Sequence, residues 1–182
     1  MKRSLWGDGS GLDSGVAAYT TGDDRRWDQR LLRWDIIATS GHIGGLTEAG
    51  LLTTEEHATL TGELGRALDA ADSGLFRVAE DDEDAHSALE HRLVDHLGEL
   101  GEKVHTGRSR NDQVMAALRL YLKSALLEIE AAVITTARSL IAFGNSHQRV
   151  VMPGFTHIRR AMPSSVGLWA AGYAEVLLDN LA

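Results

Sequence analysis

One uninterrupted helical pattern, from Asp112 to about Asn145, constrains the fold of this chain more than any other stretch. Neither glycine nor proline interrupts it before Gly144. Its apolar residues fall on one stripe, which consists of Leu118, Leu122, Ala125, Ile129, Val133, Ala137 and Leu140. Such a helix would be about 50 Å long, well beyond the usual length in globular proteins. Because a long helix needs long partners to cover its stripe, the pattern predicts a helical bundle.

The segments before this stretch predict shorter helices. Residues 28 to about 42 carry apolar positions at helical spacing, and we expect Gly44 and Gly45 to close that helix. Thr53 and Glu56 have the spacing of a capping box, in which each residue satisfies a free backbone amide of the other. They therefore predict the start of a second helix.

A third helix should follow the acidic run at residues 80–84, since negative charge stabilises a helix start. One face of that helix carries Leu89, Leu93 and Leu97. After the long helix, Pro153 and Gly154 predict a break, and Pro163 with Ser164 predicts the start of a further helix.

These patterns together predict an all-α fold in two parts. Residues 1–111 would form a small N-terminal helical domain, and residues 112–182 would supply the first long helices of a central helical bundle. The last helical pattern is still periodic at Ala182, with no glycine cap and no polar tail. We therefore expect the chain to be a truncated part of a larger bundle.

Composition excludes several classes of protein. The formal net charge of -8 argues against a general binder of nucleic acid or of an anionic membrane surface. The absence of cysteine excludes disulfides and thiolate metal sites. The first ten residues carry two basic side chains without an apolar run behind them, and no stretch is apolar enough to span a bilayer. A cytoplasmic protein is the resulting expectation.

The segment VHTGRSRNDQ, residues 104–113, concentrates positive charge in this acidic chain. Arg108 and Arg110 can offer forked donors to a carboxylate or phosphate. Shorter hydrogen bonds could come from Thr106, Ser109 and Asn111. Gly107 would let the backbone approach a ligand closely. The segment therefore predicts an anion pocket, with a polar loop that merely caps a helix as the alternative.

This segment resembles the first signature of argininosuccinate lyases, within the fumarase and aspartase superfamily. EDAHSALEHRL at residues 83–93 and MPGFTHIRRAMPSS at 152–165 resemble two further segments of these enzymes. Leu5–Gly7 and residues 19–36 are similar to the family's opening region. Since the resemblance extends in order along essentially the whole chain, we identify the chain as the N-terminal portion of such a lyase.

The resemblance implies a β-elimination of argininosuccinate to arginine and fumarate, in arginine biosynthesis, without cofactor or metal. Thr156 would hold a carboxylate of the substrate, and His157 would take part in the proton transfers. His86 would orient or polarise the arginine half. Fixed donors would stabilise the carboxylate on which charge develops, and the candidates are Ser109, Arg110, Asn111 and Thr156.

The chain also departs from the family pattern. Phe155 replaces a common tyrosine, Arg159 stands where glutamine is usual, and Asp24 lies near the position of a substrate-binding serine. No Gly-Ser-Ser-x-Met-Pro-x-Lys-x-Asn loop, which supplies the family's serine base, occurs in the sequence. Family enzymes are homotetramers whose active sites each combine three subunits. We therefore expect the isolated chain to be inactive or nearly so.

Several alternatives remain open at this point. A sister enzyme acting on adenylosuccinate, fumarate or aspartate would share the Thr-His pair, and a non-catalytic relative such as a delta-crystallin would share the fold. An unrelated helical interaction module is the third alternative. His86, His91 and His96 recur every five residues, and this spacing cannot place them around one metal on one helix face. Asp84 could face a guanidinium group or cap the third helix.

Overall fold

The structure is a computed structural model that describes residues 15, 16, 19, 22–79 and 82–181. The segment Leu5–Gly7 and the acidic residues 80 and 81 lie outside the described residues. Contacts divide the chain into two compact units, Met1–Leu122 and Lys123–Ala182. No helix in the described ranges is both long and apolar enough to cross a membrane.

Helices dominate the described residues, which confirms the predicted class. The elements are α1 (Asp24–Glu48), α2 (Thr54–Asp72), α3 (Ala85–Leu97), α4 (Glu99–Glu102), a 3-10 turn (Lys103–His105), α5 (Arg110–Ser146), β1 (Val151–Thr156), β2 (Arg159–Ser165) and α6 (Val166–Asp179). The two short strands are an addition that the helical patterns did not predict.

Helix α1 is longer than the sequence pattern predicts. The expectation that Gly44 and Gly45 close it is wrong, because the helix continues through both. A glycine in a helix interior costs about 1 kcal/mol relative to alanine. Burial of Ile43 and Leu46 on the same stretch offsets that cost, since a fully buried aliphatic side chain contributes about 1.5–3 kcal/mol. The chain leaves the helix near Gly50, whose φ of 74° suits glycine.

Two capping boxes fix the starts of α2 and α3. The box predicted for α2 is confirmed, because Thr53 Oγ1 accepts the Glu56 amide while Glu56 Oε2 accepts the Thr53 amide. At α3, Asp84 Oδ1 accepts the Ser87 amide at 2.8 Å, and Ser87 Oγ accepts the Asp84 amide. The second box places His86 in the first turn of α3.

The core of the first unit lies between α1, α2 and α3. Its buried residues are Leu32, Ile36, Ile43, Leu46, Leu52, Leu60, Leu64, Ala67, Ala85, Leu89, Leu93 and Val104. On the predicted face of α3, Leu89 and Leu93 are buried and Leu97 packs partly buried against them. The hydrophobic spacing of the three helices therefore accounts for this core.

A buried carboxylate links α2 to α3. Glu63 accepts hydrogen bonds from Arg66 at 2.8 Å and from Arg92 at 3.0 Å. His96 Nδ1 lies 2.7 Å from the same carboxylate. Burial alone would raise the pKa of Glu63, but these partners outweigh burial and lower the pKa below 4.5.

Helix α5 has 37 residues and is therefore about 55 Å long, which confirms the predicted long helix. It starts two residues earlier than predicted and ends one residue later. In the described residues, many of its large apolar side chains are exposed, among them Leu122, Leu126, Leu127, Ile129, Ile141 and Phe143. Near its end, Gly144 approaches Gly167 of α6 so closely that a methyl group on Gly167 would lie 2.8 Å from the Gly144 carbonyl oxygen.

The two strands form an antiparallel hairpin in the second unit. The expectation that Pro163 and Ser164 open a helix is wrong, since both belong to β2. Pro163 pairs with Pro153, and a two-stranded sheet tolerates proline because each strand has a free edge. Helix α6 starts only after Ser165, whose Oγ accepts the Leu168 amide at 3.0 Å.

Candidate active site

Residues 104–113 run from the end of the 3-10 turn through a short loop into the first turn of α5, and we call this segment the signature loop. Gly107 lies in this loop with a φ of 73°, a backbone conformation that residues with a side chain rarely adopt. Both the backbone amide and the hydroxyl of Ser109 donate to Asp112 Oδ2, at 2.8 and 3.0 Å. The backbone hydrogen bond from Ser109 is the main reason that the pKa of Asp112 is lowered. Ser109 and Asp112 thus hold the loop in place where α5 begins.

Arg110, the first residue of α5, faces the acidic start of α3. Its Nη1 donates to Asp84 Oδ2 and lies 3.5 Å from Glu83 Oε2. The capping role suggested for Asp84 is confirmed, because Oδ1 accepts the Ser87 amide, while Oδ2 accepts from the guanidinium of Arg110. Asn111 is exposed in the first turn of α5. The start of α5 thus brings a cation and an amide to one part of the surface.

Arg108 is turned into the protein and does not join Arg110. Its Nη1 donates to Thr39 Oγ1 of α1 at 3.2 Å. Burial lowers the pKa of Arg108, and the negative charges of Asp35 and Glu90 oppose this effect. The two arginines, which the sequence suggests as equivalent anion ligands, therefore have different surroundings. Of the two, only Arg110 pairs with the acidic start of α3, through Asp84 and Glu83.

His86 and Asp35 form a buried ion pair between α3 and α1. His86 is 4% exposed and Asp35 is fully buried, and His86 Nδ1 lies 2.9 Å from Asp35 Oδ2. The pair is close, although its alignment falls short of a well-directed hydrogen bond. Burial lowers the pKa of His86, but pairing with Asp35 raises it by more, so that the net pKa lies above 6.5. Asp84 and Asp28 add further negative charge near the imidazole.

Sequence reasoning missed Asp35, although a signal was present. Asp35 lies within the apolar run LLRWDII, at helical spacing from Leu32 and Thr39, both of which are fully buried. A carboxylate on the buried face of a helix needs a partner, because an unpaired buried charge is costly. The hydrophobic pattern of α1 could therefore have marked Asp35 for attention.

A small cavity lies beneath the signature loop. His86, His105 and Arg108 line it together with Glu90 and Gln113. Its volume of about 10 Å³ corresponds to roughly one water molecule, so an amino-acid-sized substrate does not fit into it.

His42 ties the signature loop to α1. Its Nε2 lies 3.0 Å from the carbonyl oxygen of Thr106. Burial and the nearby charge of Arg108 lower the pKa of His42 below 6.5. A neutral His42 can donate from Nε2 to this carbonyl, and the loop is thereby anchored at its centre.

Thr156 and His157 lie in the second unit, at the tip of the hairpin. Thr156 ends β1 and pairs with Arg159, while His157 and Ile158 form the connecting turn. Both turn residues have positive φ angles, 50° and 66°, as a two-residue hairpin turn of this kind requires. All three residues are exposed. From the break predicted at Pro153 and Gly154 and the helix predicted at Pro163, this pair would lie in a loop that enters a helix, and that expectation is wrong. A turn between two strands presents the Thr-His pair instead.

The remaining histidines of α3 have structural partners. His91 Nδ1 lies 2.8 Å from Asp82 Oδ1, and His96 contacts Glu63. Among the residues that the structure describes, no group of three His, Cys, Asp or Glu side chains could hold a metal ion.

Known proteins resemble this chain in both sequence and fold. The model of a family described as "Lyase" matches residues 21–182. The argininosuccinate lyase of Sorangium cellulosum is 45% identical over 181 residues, and that of Thermotoga neapolitana is 40% identical. Both alignments cover 100% of this chain but 42% and 46% of the relatives, so the chain spans less than half their length.

Solved structures agree with this result. A fumarate lyase:delta crystallin from Brucella melitensis has a TM-score of 0.73 at 18% identity, covering 93% of this chain and 43% of that one, which supports the fold alone. An EDDS lyase in complex with formate has a TM-score of 0.63 at 30% identity, covering 88% of this chain and 30% of that one. The resemblance to lyases suggested by the signature segments is therefore confirmed. Because the family model extends over nearly all of the sequence, the chain belongs to the lyase family.

Proposed function

We propose that these residues are the N-terminal portion of an argininosuccinate lyase, which cleaves argininosuccinate to arginine and fumarate. The observation that carries the proposal is the match, over the whole chain, with relatives named argininosuccinate lyase. The placement of Arg110 and Asn111 at the start of a long helix supports it. Helix starts favour anions, and argininosuccinate carries several carboxylates.

The reaction needs a base, an acid and fixed donors. A base removes a proton next to a carboxylate, charge develops on that carboxylate, and an acid protonates the departing guanidinium nitrogen. We propose Ser109, Arg110 and Asn111 as substrate-binding residues. Arg110 is partly exposed and is paired with the half-buried Asp84 and the exposed Glu83, so a substrate carboxylate could take over some of its donors.

Thr156 and His157 are the proposed catalytic residues. Their exposure at the hairpin tip makes both accessible to a substrate. The hydroxyl of Thr156 would hold a substrate carboxylate by donating to it. Imidazole is the side chain suited to proton transfer near neutral pH, which is the role assigned to His157.

Further features of the whole protein belong to the same proposal. His86 would orient the arginine half of the substrate from its place in the first turn of α3. Residues 1–111 would act as the N-terminal domain and residues 112–182 as the first part of a bundle shared in a homotetramer. Arginine biosynthesis in the cytoplasm would be its setting, and no cofactor or metal would take part in the chemistry.

Fumarate release tests the proposal. Argininosuccinate would be mixed with the purified chain, alone and together with the part of the Sorangium cellulosum enzyme that follows the aligned region, and ultraviolet absorbance would report fumarate. We expect fumarate only from the combination of the two parts. His157→Asn should lower the rate of fumarate release by about 100-fold or more. Adenylosuccinate and aspartate serve as control substrates. Turnover of either in preference to argininosuccinate would refute the assignment, and no turnover of any substrate would favour a non-catalytic relative.

A further inference from the structure

Asp35 is a fully buried carboxylate at the point where three segments meet. Thr39 follows it by one turn on α1, His86 approaches it from α3, and the charge of Arg108 reaches it from the signature loop. A buried charge without compensation costs several kcal/mol, so its partners must lie close by. Asp35 is therefore a buried negative charge with the His86 imidazole beside it and the charge of the half-buried Arg108 nearby.

The contact between His86 and Asp35 is close but imperfectly aligned. In the described part of the chain, neither oxygen of Asp35 has a well-aligned hydrogen bond, and the same is true of Arg108 Nε. The 2.9 Å approach of His86 Nδ1 leaves Nε2 as the ring nitrogen available to other partners. Other titratable groups also face the imidazole or share its cavity, namely Asp28, Asp84, Glu90 and His105.

We propose that Asp35 is a positioning residue of the active site, which holds the His86 ring through Nδ1. This inference deepens the proposed function and rests on it, because it assigns a role to a residue that supports a substrate-binding group without touching substrate. The raised pKa of His86 agrees with the geometry, since burial by itself would lower it. Without Asp35, we expect a neutral imidazole that is free to rotate.

The alternative is that Asp35 is a structural residue only, and this role leads to a different expectation for the enzyme. A buried ion pair is weak evidence for stability, and its replacement by residues of similar shape can be neutral. Removing the charge should lower the titration midpoint of His86 in either case, whereas only a positioning role also moves the pH dependence of activity. The ring titration therefore tests the Asp35–His86 pairing itself, and the pH profile of the combined enzyme separates the two roles.

The test uses nuclear magnetic resonance on the 182-residue chain. In the unmodified chain, long-range proton–nitrogen spectra should show a proton on His86 Nδ1 at neutral pH, whether or not any variant folds. In Asp35→Asn, the midpoint of the His86 titration should fall by about one pH unit or more. Asp95→Asn removes an equal charge from the exposed face of α3 and should leave the midpoint unchanged.

An unprotonated Nδ1 in the unmodified chain would overturn the proposal, as would an unchanged midpoint in a folded Asp35→Asn chain. In the combined enzyme of the fumarate assay, Asp35→Asn should shift the pH profile of kcat/KM by the change measured in the His86 titration. An unmoved profile would also count against the positioning role. A combination that releases no fumarate even without substitution rejects the proposed function, while the resonance measurements still decide whether Asp35 positions His86.

Discussion

The two units hold their candidate functional side chains by different means. In the first unit, partner side chains fix Arg110 and His86, through Asp84 and Asp35. In the second unit, the backbone turn at the hairpin tip places Thr156 and His157, and both side chains are exposed. The units differ in the same way in their apolar residues, which form a covered core in the first and remain largely exposed along α5 in the second. Side-chain packing therefore determines the first region, and backbone geometry the second.

The largest test of this contrast compares two leucines. Leu64 is 1% exposed in the core and Leu126 is 63% exposed on α5. Leu64→Ala should lower the free energy of unfolding by about 2–5 kcal/mol, because it leaves a cavity. Leu126→Ala should change it by less than about 0.5 kcal/mol in the isolated chain. Urea denaturation measures both changes. Equal losses of unfolding free energy would show that Leu126 is buried in the isolated chain as Leu64 is.

Removal of the buried charge of Glu63 should have the next largest effect. Glu63→Gln weakens the bonds to Arg66, Arg92 and His96 and should cost about 1–3 kcal/mol at pH 7. Since folding lowers the pKa of Glu63, its contribution is present above 4.5 and is lost as the pH falls through the folded value. The difference between the two chains should therefore shrink on acidification. Asp69→Asn, an exposed change on the same helix, should have no comparable effect, and a constant difference at every pH would contradict the ionic interpretation.

Two glycines of α6 provide a matched pair in the second unit. A methyl group on Gly167 would lie 2.5 Å from the Cα of Gln148, whereas one on Gly172 would meet no atom within 4 Å. Gly167→Ala should therefore cost about 1–3 kcal/mol through overpacking. Gly172→Ala should gain up to about 1 kcal/mol, because alanine favours the helix. Thermal denaturation followed by circular dichroism distinguishes them, and a gain at both positions would rule out the close helix approach.

The smallest expected effect is at the hairpin turn. Ile158 is 98% exposed at a φ of 66°, which disfavours a β-branched side chain. Ile158→Gly should stabilise the hairpin by about 1 kcal/mol, since glycine adopts positive φ without strain. Val151→Gly, on the extended strand β1, should destabilise it instead. Hydrogen exchange of the strand amides reports both changes, and faster exchange in Ile158→Gly would be the contrary result.

Local rules predicted much of the fold from the sequence. The spacing of Thr53 and Glu56 predicted the start of α2, and the uninterrupted pattern from Asp112 predicted α5. Gly44 and Gly45 were misleading because packing of their neighbours outweighs glycine's weak helix propensity. The hairpin was missed because the segments around its prolines are too short for periodicity to separate a strand from a helix start.

The site could be predicted less completely. The signature loop was located by its residues, but the sequence does not distinguish Arg108, which is turned inward to Thr39, from Arg110, which faces Asp84. That difference depends on which helices pack beneath the loop, and spacing along the chain does not encode it directly. The pair of Asp35 and His86 also depends on helix packing, because its two residues lie on different helices.

The two carboxylate oxygens of Asp84 have different partners, and this restricts which residues can replace it. One oxygen accepts the Ser87 amide and the other accepts from Arg110. Serine or threonine could cap the helix but would lose the charge, asparagine has a single acceptor, and glutamate is a poorer helix cap. Each single substitution therefore impairs at least one of two unrelated tasks. Asp84 should therefore tolerate substitution poorly for two reasons. A compensating change at Arg110 could remove the need for the ion pair but would not restore the helix cap.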